Sequence, residues 1–266
     1  MAGPGRPRVG RAARPNPGAT AGYWEQSKQP LEILLLVLPL VALYEAGLLW
    51  ALRLEGGILT NRAHEGLLRI FDALDIDAQR LSLPALSLPA LGLLFVLLSW
   101  QLLSRRPWSV QLGTVGLMFV ESACAAVPLL VVSQVLARAM AVGLPDAASQ
   151  VDALPMFGKI AVAIGAGLYE EFVFRMVLIL FLHTLFVDLM RLPQLVGTIA
   201  AVAVAAVLFA IYHPLADVAG HLSMRRLAFF LCAGAWFGTL YVLRGFGIAV
   251  GAHAAYDIAV VALLGE

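Results

Sequence analysis

The chain has 266 residues, 61% of them hydrophobic and 13% charged, with 18 Lys and Arg balanced by 17 Asp and Glu. An ordinary soluble domain is roughly 25% charged, so much of this chain faces lipid rather than water, and the absence of a basic excess removes nucleic acid as a partner. Its two cysteines, Cys124 and Cys232, lie in apolar runs, which argues against a structural disulfide and leaves no metal-binding pair.

Residues 1–30 place Arg6, Arg8, Arg11 and Arg14 among Pro4, Pro7, Pro15 and Pro17, a composition that cannot bury a core and reads as a disordered, cytosolic tail. The next apolar stretch is too long for a cleaved signal core and long enough to span a bilayer. Spans of about 20 apolar residues are expected near 31–54, 83–103, 112–142, 157–182, 194–216, 226–243 and 248–264. The fold class is therefore all-α: a polytopic transmembrane helix bundle of about seven spans. Its organisation reads as the tail, membrane helices over 31–156, and membrane helices over 157–266 that hold the chemistry.

Between the first two spans, residues 61–74 put Leu67, Leu68, Phe71 and Leu74 on one helical face, with Arg62, Glu65, Arg69 and Asp72 elsewhere. This predicts an interfacial helix, read as an ordinary surface helix ahead of a lid. A cytosolic N-terminus in the plasma (inner) membrane puts Arg105, Arg106, Arg191 and Arg244 beside the tail, although Arg62, Arg69, Arg80, Arg225 and Arg226 fall on the other side. Gly234-Ala-Trp-Phe-Gly238 and Gly247-Ile-Ala-Val-Gly251 are small-xxx-small patterns that predict close packing of the last two helices.

Ionisable residues interrupt three of these spans. Glu170, Glu171 and Arg175 sit near the middle of the fourth, where an Asp, Lys or Arg costs about 2.5–3.5 kcal/mol and Glu is taken to be of similar order. Glu171 and Arg175 are four apart, the spacing of an internal ion pair. Glu170 lies about 100° round the helix and needs another partner or a wet cavity. The fifth span ends Phe209-Ala-Ile-Tyr-His213-Pro214, and the seventh carries His253 and Asp257 four apart on one face. Intramembrane groups of this kind point into the bundle. Carboxylates and imidazoles converging from three helices suit hydrolysis, in which one takes a proton from water and others, or a metal, stabilise the oxyanion. They equally suit the proton relay of a transporter. No H-E-x-x-H, G-x-S-x-G or P-loop motif is present.

The ordered set Glu170-Glu171-x-x-x-Arg175, Phe209-x-x-x-His213 and His253-x-x-x-Asp257, with Gly238-Thr-Leu-Tyr-Val-Leu-Arg-Gly245 before the last motif, resembles the CAAX protease and bacteriocin-processing (CPBP, or Abi) family of intramembrane endopeptidases, related to the type II CAAX prenyl endopeptidase. The resemblance covers about residues 157–264. It implies that Glu170 and His213 activate the attacking water, that Glu171 and Arg175 support them, and that His253 stabilises the oxyanion or ligates a metal. Asp257 stands where the family usually has asparagine, and Met176 where it often has glycine. An ionised aspartate donates no hydrogen bond, so an oxyanion role would require it to be protonated. A zinc ion on Glu170, His213 and His253 and a metal-free glutamate mechanism both fit this pattern.

The expected function is an intramembrane endopeptidase acting on membrane-associated peptide or protein substrates in the lipid bilayer. The alternatives are a non-catalytic scaffold or immunity protein, or a small proton-coupled transporter; no internal inverted repeat supports the transporter. Neither substrate prenylation nor oligomeric state is encoded in these motifs. In a simple seven-span drawing, His213 and His253 lie near opposite membrane faces, and a dip of residues 213–225 back into the protein is the expected remedy.

Overall fold

The computed structural model describes residues 22–51, 53–54, 57–58, 60–76, 87–139, 153–217 and 219–264. Residues 1–21, which include the arginines of the expected tail, lie outside them, as does Arg80. Within the last third of that tail, Tyr23–Gln26 form one helical turn, α1. Eight further helices follow: α2 (Pro30–Trp50), α3 (Arg62–Ala73), α4 (Leu88–Ser104), α5 (Leu112–Ala139), α6 (Met156–Leu189), α7 (Gln194–Tyr212), α8 (Met224–Arg244) and α9 (Phe246–Leu264). A two-residue antiparallel ladder pairs Arg53–Leu54 with Gly57–Ile58 before α3.

The bundle is polytopic and helical, as expected. Each of the seven expected spans has its helix, and α2, α5, α6, α7 and α8 are long and apolar enough to cross a membrane by themselves. The apolar stretches of α4 and α9, Leu88–Ser104 and Phe246–Ala262, are shorter, so among the described residues length and composition alone mark five spans and leave the count of seven unconfirmed. Outward faces are apolar: Phe95, Leu103, Val120, Leu195 and Ile211 are all exposed, which suits lipid and not water.

The core forms where α9 packs against α5 and α6, and α2 against α6 and α4, while α7 packs on α8. Ile33, Leu36, Val37 and Tyr44 of α2 meet Ile164, Leu168 and Tyr169 of α6 and Ile248 and Val250 of α9. Small residues set the helix spacing. A Cβ on Gly234 would stand 2.8 Å from Ala206 Cα of α7, and one on Gly251 would stand 2.4 Å from Ser122 Oγ of α5. Both glycine patterns therefore mark close approaches. A third approach, Gly167 against the backbone of Ala254, brings α6 and α9 together three residues before Glu170.

α6 is not a uniform α-helix. It is α-helical through Glu171, π-helical over Phe172–Ile179, α-helical again over Leu180–His183 and π-helical over Thr184–Leu189. π-Turns insert an extra residue per turn and recur at functional sites; here the first begins immediately after the paired glutamates.

Candidate active site

Four of the six residues expected to carry the chemistry, Glu170, His213, His253 and Asp257, line one cavity, and the other two, Glu171 and Arg175, are buried beside His253. Glu170, Glu171 and Arg175 are buried on α6, and His253 is buried on α9. His213 caps the C-terminus of α7. Asp257, one turn beyond His253, is partly exposed. A cavity of about 200 Å³ is lined by Glu170, His213, His253 and Asp257, and by an aromatic wall that includes Phe209, Phe230 and Phe237.

Two imidazole–carboxylate pairs face this cavity. In the first, His213 Nε2 lies 3.4 Å from Glu170 Oε2. His213 Nδ1 is 2.8 Å from the Phe209 carbonyl, which can only accept, so Nδ1 carries the proton and Nε2 is the nitrogen presented to the glutamate. Buried Glu170 Oε2 has no hydrogen-bond partner within the protein, an arrangement that costs free energy unless something in the cavity supplies one.

The second pair is more tightly built. His253 Nδ1 lies 2.7 Å from Glu171 Oε1, and the same oxygen is 2.9 Å from Arg175 Nη1. The ion pair expected from the four-residue spacing is thus present, and it holds the imidazole by its inner nitrogen. The outer nitrogen, Nε2, is 3.4 Å from Asp257 Oδ2. The Arg175 guanidinium is fully buried, with its charge over the Phe209 ring at 4.2 Å and the Phe237 ring at 5.4 Å; such cation–π contacts offset part of its desolvation.

Aromatic rings lock both histidines. Phe230 stacks on His213 at 4.0 Å and Phe237 on His253 at 4.5 Å. Phe209 contacts both imidazoles, tilted against His213 and edge-on to His253. Phe230 and Phe237 were not singled out in the sequence, where a phenylalanine in an apolar run reads the same whether it faces lipid or a cavity.

The two histidines meet without the expected dip. α7 ends at Tyr212 rather than 216, and the His213 side chain folds back along its own last turn to the Phe209 carbonyl, which carries Nε2 inward. His253 lies in the first half of α9, well below its end. The connection beyond His213 stays at the surface: Pro214, Ala216, Leu222 and Met224 are exposed, closed by an Ala216–Leu222 bridge and by Arg226 donating to the Pro214 and Ala216 carbonyls.

Glu170, His213 and His253 do not close into a metal cradle as they stand. Among the described residues no three His, Cys, Asp or Glu side chains gather to hold an ion. A tetrahedral zinc needs its ligands about 2.0–2.2 Å from one centre, whereas both nitrogens of His253 are turned toward carboxylates.

The interfacial helix, expected to be an ordinary surface helix, packs on residues next to this site, Tyr169 and Tyr212. Asn61 caps α3 by accepting from the His64 amide at 2.7 Å, and Ala63, His64 and Leu67 are buried. His64 Nδ1 lies 3.1 Å from Tyr44 Oη, and the imidazole stands edge-on to Tyr169. Burial lowers the His64 pKa to about 4, because no carboxylate compensates the charged form. Arg62 donates to the Tyr212 carbonyl and lies over the Tyr212 ring.

No curated protein and no solved structure matches the chain. A family model does: type II CAAX prenyl endopeptidase Rce1-like, over residues 152–259. All six site residues fall inside that range, so the expected site lies in the segment that is similar to this endopeptidase family.

Proposed function

We propose that the protein is an intramembrane endopeptidase in which Glu170 is the general base and His253 the oxyanion donor. The observation that carries this reading is the convergence of two imidazole–carboxylate pairs, from three helices, on one cavity. A water held between Glu170 Oε2 and His213 Nε2 loses a proton to Glu170 as its oxygen bonds to the substrate carbonyl carbon. The carbonyl oxygen becomes an oxyanion and accepts from His253 Nε2–H, whose orientation Glu171 and Arg175 fix. When the C–N bond breaks, Glu170 returns the proton to the leaving amine. No step passes through a metal.

The aromatic wall suits apolar residues beside the cleaved bond, and the apolar exterior suits a membrane-associated peptide or protein as substrate. With the N-terminus in the cytosol and the chain in the plasma membrane, access would be from the bilayer or from the face nearest His213.

Cleavage of a membrane-peptide library by detergent-purified protein tests this reading. Glu170→Gln and His213→Ala should each lower kcat by at least about a hundredfold, and a chelator should leave turnover unchanged. Chelator-sensitive turnover would overturn the metal-free route. Turnover unchanged in both variants would overturn the site, and folded wild-type protein inert across the library would favour a scaffold.

A further inference from the structure

α3 touches the residue immediately before each member of the catalytic pair: Arg62 holds Tyr212, which precedes His213, and His64 packs on Tyr169, which precedes Glu170. We propose that α3 is the positioning element of the Glu170–His213 pair, acting through Arg62 at the end of α7 and His64 on α6. The inference rests on the proteolytic reading of the cavity.

Arg62 acts where α7 is least supported. The last carbonyls of a helix have no partner within it. His213 caps α7 in an extended conformation (φ −83°, ψ 156°), so the left-handed closure that usually satisfies those carbonyls is absent. Arg62 supplies a donor from 150 residues away in the chain, and its guanidinium lies 4.8 Å from the centre of the Tyr212 ring. Without that donor the helix end is free to fray, and His213 would leave both the Phe209 carbonyl and Glu170.

His64 is a costly choice for packing alone. It is 0% exposed, and its Nε2 makes no hydrogen bond. A leucine would bury the same face without an unsatisfied nitrogen. What the imidazole adds is a hydrogen bond to Tyr44 on α2 and an edge-on contact 5.1 Å from the Tyr169 ring centre. α2, α3 and α6 are thereby tied together one residue from Glu170.

The test compares full-length wild type, Arg62→Ala, Arg62→Lys and His64→Phe, with Arg69→Ala as a control on the exposed side of the same helix. In the cleavage assay, Arg62→Ala should lower kcat about tenfold or more with KM within about twofold; Arg62→Lys should recover part of that loss, and Arg69→Ala should match wild type. A second readout needs no turnover. His213→Cys, in a background with Cys124 and Cys232 replaced by alanine, is alkylated with a water-soluble maleimide, with and without Arg62→Ala. Alkylation should become several-fold faster when Arg62 is removed. Unchanged kcat together with unchanged alkylation would overturn the proposal. If wild type proves inert, proteolysis fails as the function and the alkylation rates alone decide whether α3 positions His213.

Discussion

His253 is held by two carboxylates that do different work. Glu171 is buried, pinned by Arg175, and grips the inner nitrogen at 2.7 Å. Asp257 sits 3.4 Å from the outer nitrogen, the one that faces the cavity, so in the proposed mechanism it competes with the oxyanion for the same N–H. An asparagine amide there would donate instead. Asp257→Asn is therefore expected to raise kcat/KM at neutral pH by up to about tenfold, measured in the peptide-cleavage assay; a fall would show that the carboxylate itself takes part. At this scale the sequence was informative because charge is expensive in lipid. Glu170, Glu171 and Arg175 stood out against an apolar background, and their spacing foretold the ion pair. The rings that clamp the histidines carried no such contrast, and Phe230 is one apolar residue among many until its neighbours are known.

Among the elements, the apolar runs were legible because helices that cross lipid must satisfy their own backbone. The interruptions within them were not. Nothing in Phe172–Ile179 marks a π-helical turn, which depends on the packing of α6 against its neighbours. The docking of α3 was half legible: its amphipathic face was plain, but nothing in the sequence singled out His64. Its burial has a consequence in pH. The folded protein holds His64 neutral, with a pKa of about 4, while in the unfolded chain it titrates near 6.5. The unfolded state therefore binds the extra proton first as pH falls. The stabilisation is complete above about pH 6.5 and declines toward pH 4, by up to about 3 kcal/mol. Thermal unfolding in detergent should show this loss for wild type and a shallower one for His64→Phe; parallel curves would remove His64 as the cause.

The molecule as a whole has two unlike ends. At one, α1 is anchored by Arg244, which bonds Glu121 and Ser27 and lies 3.6 Å over the Trp24 ring. At the other lie His213, Arg62 and the exposed residues Pro214, Ala216 and Leu222. α8 separates them, about 30 Å from Met224 to Arg244. The site sits about 9 Å in from the His213 end, at the level of Phe230. The depth conflict in the sequence arose because span boundaries were drawn from hydropathy, which does not see a side chain folding back on its own helix. With a cytosolic N-terminus, Leu222→Cys in a background lacking Cys124 and Cys232 should react with an impermeant maleimide in intact cells. Reaction only after lysis would reverse the orientation.

That separation also governs how the protein can be handled. α9 starts beside the α1 anchor, where Gly245 packs against Lys28, and runs toward the His213 end. Anything fused ahead of Tyr23 emerges about 20 Å of helix away from the cavity and leaves the approach to it clear. A fusion after Leu264 emerges at the His213 end, where, on the proteolytic reading, its bulk would compete with incoming peptide.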